Sequence, residues 1–529
     1  MKKVFVKLRK QLIYTNPLIF GIYPVLFLYA TNISEYREKV IIIPLFLAIL
    51  FSLVIFLLFT SITRRLPLAA IISSYTIIAF FSYSRLKQVI KFDGILLLVF
   101  IVLLVLICFL IKKYQSHLRK VNQILTIVSL ILIVIPIFNI LTFELKTGRL
   151  VRGVISRDLD ISGDNDNGNR PDIYYFIFDR YGGEKTMNLY RFDNSNFYNF
   201  LRKKGFYIAE KSTSNYPKTF LSLGSSLNLE YINFLTEETH GGATSDESYV
   251  TPLVKNSKVI KFLKGKGYKY IHVGSGWDPT RFNENADVNY VLKGIDFPFA
   301  DEFTDGFLQT TIAAPILSKL FTDPTSVSKL PKNNDQRSRI TYEFNSINNA
   351  VAVDGPKFIF MHVLIPHDPY VFDNDCTPIS ESVTDKRTVT ENYLNQLQCG
   401  NQKIESMLDV ILKNSKQTPV IIFQADEGPF PLIYKIPGNT PWKNASDNSL
   451  NEKFPILNAY LLPGIDLKKS GIYPSITPVN SFRMIFNNYF DTKLPFLPDI
   501  NYIFNDDKAY YIFTDVTSRV STDYIFTNK

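Results

Sequence analysis

Cysteine is scarce in this chain: three in 529 residues, at 108, 376 and 399, and nowhere in a Cys-x-x-Cys spacing. That excludes a cysteine-built zinc site. Acids are scarce in the first 152 residues, which hold only Glu35, Glu38, Asp93 and Glu144 against 19 lysines and arginines. The remaining 377 residues carry 39 bases against 44 acids. The whole-chain charge of +10 therefore does not mark a nucleic-acid binder, because the basic excess belongs to the apolar front of the chain. No internal repeat is present. What the sequence has in quantity is apolar residues, 46% of the total against 20% charged, which excludes both a disordered tail and a single small module.

The apolar excess is concentrated in stretches free of charge between Lys10 and Glu35, Lys39 and Arg64, Arg65 and Arg85, Asp93 and Lys112, and Lys120 and Glu144. Each is at least 18 residues long and long enough to cross a bilayer as a helix, the only backbone that satisfies its own hydrogen bonds in lipid. The pattern predicts a membrane domain over 1–152 with five spans, at about 12–32, 40–62, 66–84, 94–111 and 121–143. A signal peptide is a poor reading of the first stretch, which is too long and is followed by four more. Lys2, Lys3, Lys7, Arg9 and Lys10, then Arg64 and Arg65, then Lys112, Lys113, Arg119 and Lys120 load alternate loops. The positive-inside rule puts those loops and the N-terminus in the cytoplasm, and an odd number of spans puts the rest of the chain outside. In such an oxidising compartment the pair Cys376 and Cys399 points to a disulfide, the alternative being two separate buried thiols.

Residues 153–170, rich in Asp, Asn and Gly, read as a linker. From 171 to 529 apolar runs alternate with polar, helix-compatible stretches: IYYFIFD (173–179), YKYIHVG (268–274), KFIFMHVL (357–364), PVIIFQAD (419–426) and ILNAYLLPG (456–464). Runs of this kind predict strands buried on both faces, hence an α/β domain with a mostly parallel sheet sandwiched by helices. In such sheets ligands bind beyond the carboxyl ends of the strands. Asp179 ends the first run, His362 and His367 lie in or just after the third, and Asp426 and Glu427 end the fourth.

Two adjacent carboxylates entering the interior are costly unless a cation neutralises them. Asp426 and Glu427, taken with Asp179, point to hard-metal ligation by oxygen; the bland alternative is an N-cap beside a solvated neighbour. Thr219 follows the turn Asn215–Lys218 and opens TFLSLGSSLN, a helix start, where its hydroxyl meets the positive end of the dipole. It is either a cap or, with a metal to lower its pKa, a nucleophile. His367, between Pro366 and Pro369, is a candidate for oxyanion binding or proton donation, or else a structural imidazole. His362, inside an apolar run, reads as structural; His240 and His272 offer less, and His117 lies in a basic loop. Lys218, Trp277 and Arg281 are candidates for substrate contact, the last two as a lid beyond the second strand.

The order FIFDRYG, NYPKTFLSLGSSLN, FMHVLIPHDPYVF, IIFQADEGP resembles the alkaline phosphatase superfamily over roughly 172–465. It is most similar to the membrane-anchored sulfatase-like branch that includes lipoteichoic acid synthase and the phosphoethanolamine transferases. The resemblance implies a metal held by Asp179, Thr219, Asp426 and Glu427, with Thr219 as nucleophile and His367 on the substrate anion. The cofactor so implied is one divalent ion, Mn, Mg or Ca, with Zn a further option. The function it implies is transfer or hydrolysis of phosphoglycerol or phosphoethanolamine groups at the outer side of the cell membrane, with a membrane lipid and an envelope polymer or glycan as partners. Sulfate-ester hydrolysis and a catalytically inactive scaffold are the alternatives. Two departures bear on these: the late pair is Asp-Glu where the family reads Asp-His or Asp-Asn, and no Cys-x-Pro-x-Arg supplies the formylglycine of authentic sulfatases.

Overall fold

The apolar runs at the front of the chain fold as five helices: α1 (Asn16–Thr31), α2 (Ile42–Thr63), α3 (Leu66–Val89), α4 (Asp93–Lys113) and α5 (Leu118–Thr147). The structure, a computed structural model, describes residues 12–33, 38–90, 93–147, 161, 170–292, 302–314, 335–433, 441–521 and 523–526. Helices α2 to α5 are long and apolar enough to cross a membrane, whereas α1 has 16 residues, about 24 Å of rise. Burial follows the same division. Phe20, Val25 and Tyr29 of α1 are buried with Ala48, Ile77 and Phe81, while Ile42, Phe46, Val105 and Phe138 of the longer helices stand largely exposed, the surface a lipid solvent requires. Residues 302–314, which the sequence groups with the 171–529 domain, pack in this helical unit. The helix Glu302–Gln309 sets Phe303 edge-on to Tyr29 at 6.1 Å and Phe307 against Phe81 at 5.5 Å. Just after it, the Ser84 amide donates to the Thr310 carbonyl and the Ile312 amide to that of Phe80.

The second unit is built on a seven-stranded sheet: β1 (Ile173–Phe178), β2 (Tyr207–Ile208), β3 (Lys269–Val273), β4 (Val288–Tyr290), β5 (Lys357–Val363), β6 (Val420–Gln424) and β7 (Asn458–Leu461). Their spatial order is β2-β7-β6-β1-β5-β3-β4. The five strands from β6 to β4 run parallel, and β7 is antiparallel to β6 and to β2, so the mixed sheet is parallel where the site lies. All six residues of β1 are buried. Alternation with period two sends Tyr175 and Ile177 into one core and Tyr174, Phe176 and Phe178 into the other, which is why the run is continuously apolar. The helices α6 (Thr219–Ser226) and α9 (Pro478–Phe490) cover the first face; α7 (Asp335–Val351) and α8 (Val389–Asn414) cover the second. A capping box, Thr388 with Glu391, starts α8. A disulfide joins Cys376 to Cys399 on that helix, and a small hairpin, β8 (Tyr502–Phe504) and β9 (Phe513–Asp515), follows α9.

Candidate metal centre and active site

Strand register brings the chemistry together. Ile177 of β1 is level with His362 of β5 and with Gln424 of β6, so Asp179, His362 and Asp426 all emerge at one edge of the sheet. All three are buried, and one ligand atom from each lies within 4.8 Å of the others. His362 Nε2 is 3.5 Å from Asp179 Oδ2. Asp179 Oδ1, Asp426 Oδ2 and His362 Nε2 have no hydrogen-bond partner. Buried polar atoms are almost always satisfied, so three unpartnered ones on side chains this close together mark a candidate cation site. Their charges agree. Burial, then the charges of Asp179 and Glu427, pushes Asp426 well above the ordinary carboxylate range, with the Thr219 hydroxyl and the Arg180 amide acting the other way. Burial also raises Asp179, but His367, His362 and Arg180 outweigh it and hold its carboxyl below that range.

Thr219 is the first residue of α6, and its hydroxyl acts directly on Asp426. The turn before it is anchored by Asn215, which accepts from the Val479 amide and donates to the Ile500 carbonyl.

Glu427 lies outside the ligand group. Its Oε1 accepts from Lys453 Nζ at 2.8 Å and from Arg180 Nε at 3.2 Å. The turn that follows it needs glycine at 428, where a Cβ would stand 2.2 Å from the Lys453 carbonyl. Lys453, at the end of the helix Asp447–Lys453, is lowered by burial, an effect Glu427 partly offsets. Arg180 sits at φ 63°, in the left-handed region, and ties the site together. Its amide donates to Asp426 Oδ1, its carbonyl accepts from Tyr393, and its Nη1 pairs with Asp368 at 3.0 Å.

His367 is partly exposed beside Asp368, its loop fixed by Gln396, which donates to the His367 carbonyl and accepts from the Val371 amide. Its charge lowers the Asp179 carboxyl, ahead of His362 and Arg180. Lys218 turns to Tyr510 and Asp507, with its ammonium 4.3 Å from the centre of the Tyr510 ring. Trp277 stands edge-on to His362 at 5.7 Å, and Arg281 reaches the Gly276 carbonyl. His240 is exposed in a turn. The structure thus gathers Asp179, Asp426, Thr219 and His367, and adds His362, Arg180 and Lys453. Sequence gave no sign of Lys453, and a histidine inside an apolar strand looks like core until register shows which end of the sheet it reaches.

Comparison with known proteins follows from this geometry. Residues 175–450 match the Sulfatase family model. No curated protein matches the chain. Among solved structures, the C-terminal periplasmic domain of EptC from Escherichia coli, in complex with Zn, is similar with 12% identity and a TM-score of 0.43, over 68% of this chain and 96% of that one. The integral membrane protein lipooligosaccharide phosphoethanolamine transferase A from Neisseria meningitidis is similar with 11% identity and a TM-score of 0.41, over 89% and 94%. An alkaline phosphatase superfamily protein from Vibrio parahaemolyticus is similar with 10% identity and a TM-score of 0.39, over 68% and 81%.

Proposed function

The chain belongs to the sulfatase family, and from that membership we propose that it is a membrane-anchored, metal-dependent enzyme of the cell envelope that transfers or hydrolyses phosphoglycerol- or phosphoethanolamine-type groups. The observation that carries this reading is the set of mutually facing, unsatisfied ligand atoms on Asp179, His362 and Asp426, with the Thr219 hydroxyl against it. Two carboxylates and an imidazole suit a divalent cation, and the imidazole moves the preference from a purely oxygen-seeking ion toward Zn or Mn. When bound, such an ion supplies positive charge and lowers the pKa of a neighbouring hydroxyl.

The chain's own residues then divide the work. Thr219 gives up its hydroxyl proton to solvent and its Oγ1 attacks phosphorus; the new Oγ1–P bond forms as the ester P–O bond breaks, and His367 gives a proton to the departing alcohol. Arg180 and His367 supply positive charge beside the anion. A hydroxyl of water or of an envelope acceptor attacks the phosphothreonine, its proton passing to His367, and Oγ1 takes a proton from solvent as the P–Oγ1 bond breaks, so Thr219 and His367 are both restored. The lysines and arginines of alternate loops support an external catalytic domain, where lipid head groups are within reach of a domain tethered to the bilayer.

Thr219→Ala tests this reading. Turnover of a head-group-labelled phospholipid should fall at least a thousandfold, with fold and metal content unchanged and the phosphorylated threonine peptide lost; undiminished turnover removes Thr219 from the mechanism. Hydrolysis of a sulfate ester is disfavoured because Thr219 has no cysteine nearby from which formylglycine forms. The scaffold alternative draws on Glu427, whose carboxylate is neutralised by protein cations, and it predicts a chain that takes up no divalent ion.

A further inference from the structure

The loop after β3, which holds the candidate lid residues Trp277 and Arg281, folds as a polar ring against the back of His362. The Ser275 amide donates to the Thr280 carbonyl and the Thr280 amide to that of Trp277, both at 3.0 Å. Gly274 lets the ring close, since a Cβ there would stand 1.8 Å from the Arg281 carbonyl. Ser275, Thr280, His272 and His362 are all buried, so their hydrogen bonds must balance without bulk water.

The donors and acceptors can be assigned one by one. His272 Nε2 lies 2.7 Å from the Thr280 carbonyl, which only accepts, so Nε2 carries the proton and Nδ1 accepts from the Tyr270 hydroxyl at 2.9 Å. Thr280 thus has its carbonyl on one histidine and its hydroxyl, 2.9 Å from Nδ1, on the other, His362. Its Oγ1 is also 2.7 Å from Ser275 Oγ, which accepts from the Trp277 amide at 2.9 Å and lies 3.2 Å from the Trp277 carbonyl. The hydroxyl relay can run in two directions, and one of them frees Nε2: His362 Nδ1–H donates to Thr280, Thr280 to Ser275, and Ser275 to the Trp277 carbonyl. That leaves the lone pair of His362 on Nε2, the atom that faces Asp179 and has no hydrogen-bond partner. In the opposite tautomer Thr280 donates to Nδ1, and Nε2–H is spent on Asp179.

We propose that Thr280, supported by Ser275, is a positioning residue that holds His362 in the tautomer whose Nε2 binds a divalent cation. The inference rests on the metal reading of the site given above. It also gives a site whose late pair is Asp-Glu a nitrogen ligand from β5, with its orientation set by a hydroxyl relay and by the edge of Trp277. Partners of this kind commonly change metal affinity by 10–100-fold.

The experiment titrates Zn²⁺ into the full chain in detergent micelles, for wild type, Thr280→Val, Thr280→Ser, His362→Gln and Asp426→Asn. Thr280→Val keeps the shape and the backbone carbonyl on His272 but removes the acceptor. Its Zn²⁺ affinity should fall about 10–100-fold, while Thr280→Ser stays within about threefold of wild type and the metal-free melting temperatures of the two variants agree. Where Thr280→Val does not fold, Ser275→Ala replaces it, with a loss of several-fold expected because Thr280 then keeps only the longer acceptor, the Trp277 carbonyl at 3.4 Å, for its proton. Affinity of either variant within about threefold of wild type overturns the proposal. So does wild-type affinity in His362→Gln alongside loss of binding in Asp426→Asn, which would leave the metal centre standing without His362. A wild-type chain that takes up no Zn²⁺ overturns the metal reading itself, a different result from either.

Discussion

At the end of β6 two neighbouring carboxylates are buried alike, Asp426 at 0% and Glu427 at 2% exposure, yet they face opposite surroundings. Asp426 looks toward Asp179 and His362, where no lysine or arginine closes a hydrogen bond on its free oxygen. Glu427 looks toward Lys453 and Arg180, which pair with its Oε1 at 2.8 and 3.2 Å, although its Oε2, like Asp426 Oδ2, has no hydrogen-bond partner. Burial of an acid therefore does not identify a metal ligand; what compensates the charge does. On one side protein cations offset the charge, and on the other none does, which is where the proposed ion would act.

The largest expected effect on stability is on the closed side. Lys453→Met strands a buried carboxylate and should cost about 3–5 kcal/mol of unfolding free energy, measured by denaturant melts of the full chain in micelles. Adding Glu427→Gln to that variant should recover about half of the loss; no recovery would mean that Lys453 acts through the Gly428 carbonyl it also donates to, rather than through Glu427. On the open side the sign reverses. Asp426→Asn removes a carboxylate that repels its neighbours, so the metal-free protein should be stabilised by about 1 kcal/mol. A destabilisation as large as that of Lys453→Met would erase the contrast between the two sides.

A smaller effect sharpens the contrast through pH. Burial lowers His272 to about 3, below its unfolded value of 6.5, so the folded state binds fewer protons than the unfolded state between those limits. Stability is fully present above pH 6.5 and is lost as the pH falls toward 3, at up to about 1.4 kcal/mol per unit. His272→Gln should remove that slope; an unchanged slope between pH 6 and 4 would assign acid sensitivity to other groups.

Much of this was legible in sequence, for reasons that can be stated. Continuous apolar runs ending in acids gave β1 and β6, because a strand buried on both faces has no polar face to show and must expose its polarity at its end. The five helices of the membrane unit followed from charge-free length. His362 was not legible, since its neighbours Phe360, Met361 and Val363 are core residues and only strand register tells that the imidazole reaches the site. The separation of Glu427 from Asp426 was hidden because adjacency in sequence does not fix what each side chain meets, and the cation that pairs with Glu427 arrives 26 residues later. The antiparallel course of β7 and the packing of Phe303 and Phe307 in the helical unit were equally invisible, both being set by partners remote in sequence.

The most direct test is elemental analysis of the purified full chain after equilibration with Zn²⁺ or Mn²⁺ and removal of free ion. One ion per chain is expected in wild type and in Glu427→Gln, and none in Asp426→Asn. An ion lost from Glu427→Gln as completely as from Asp426→Asn, or retained in both, would contradict the assignment of the open side as the metal centre.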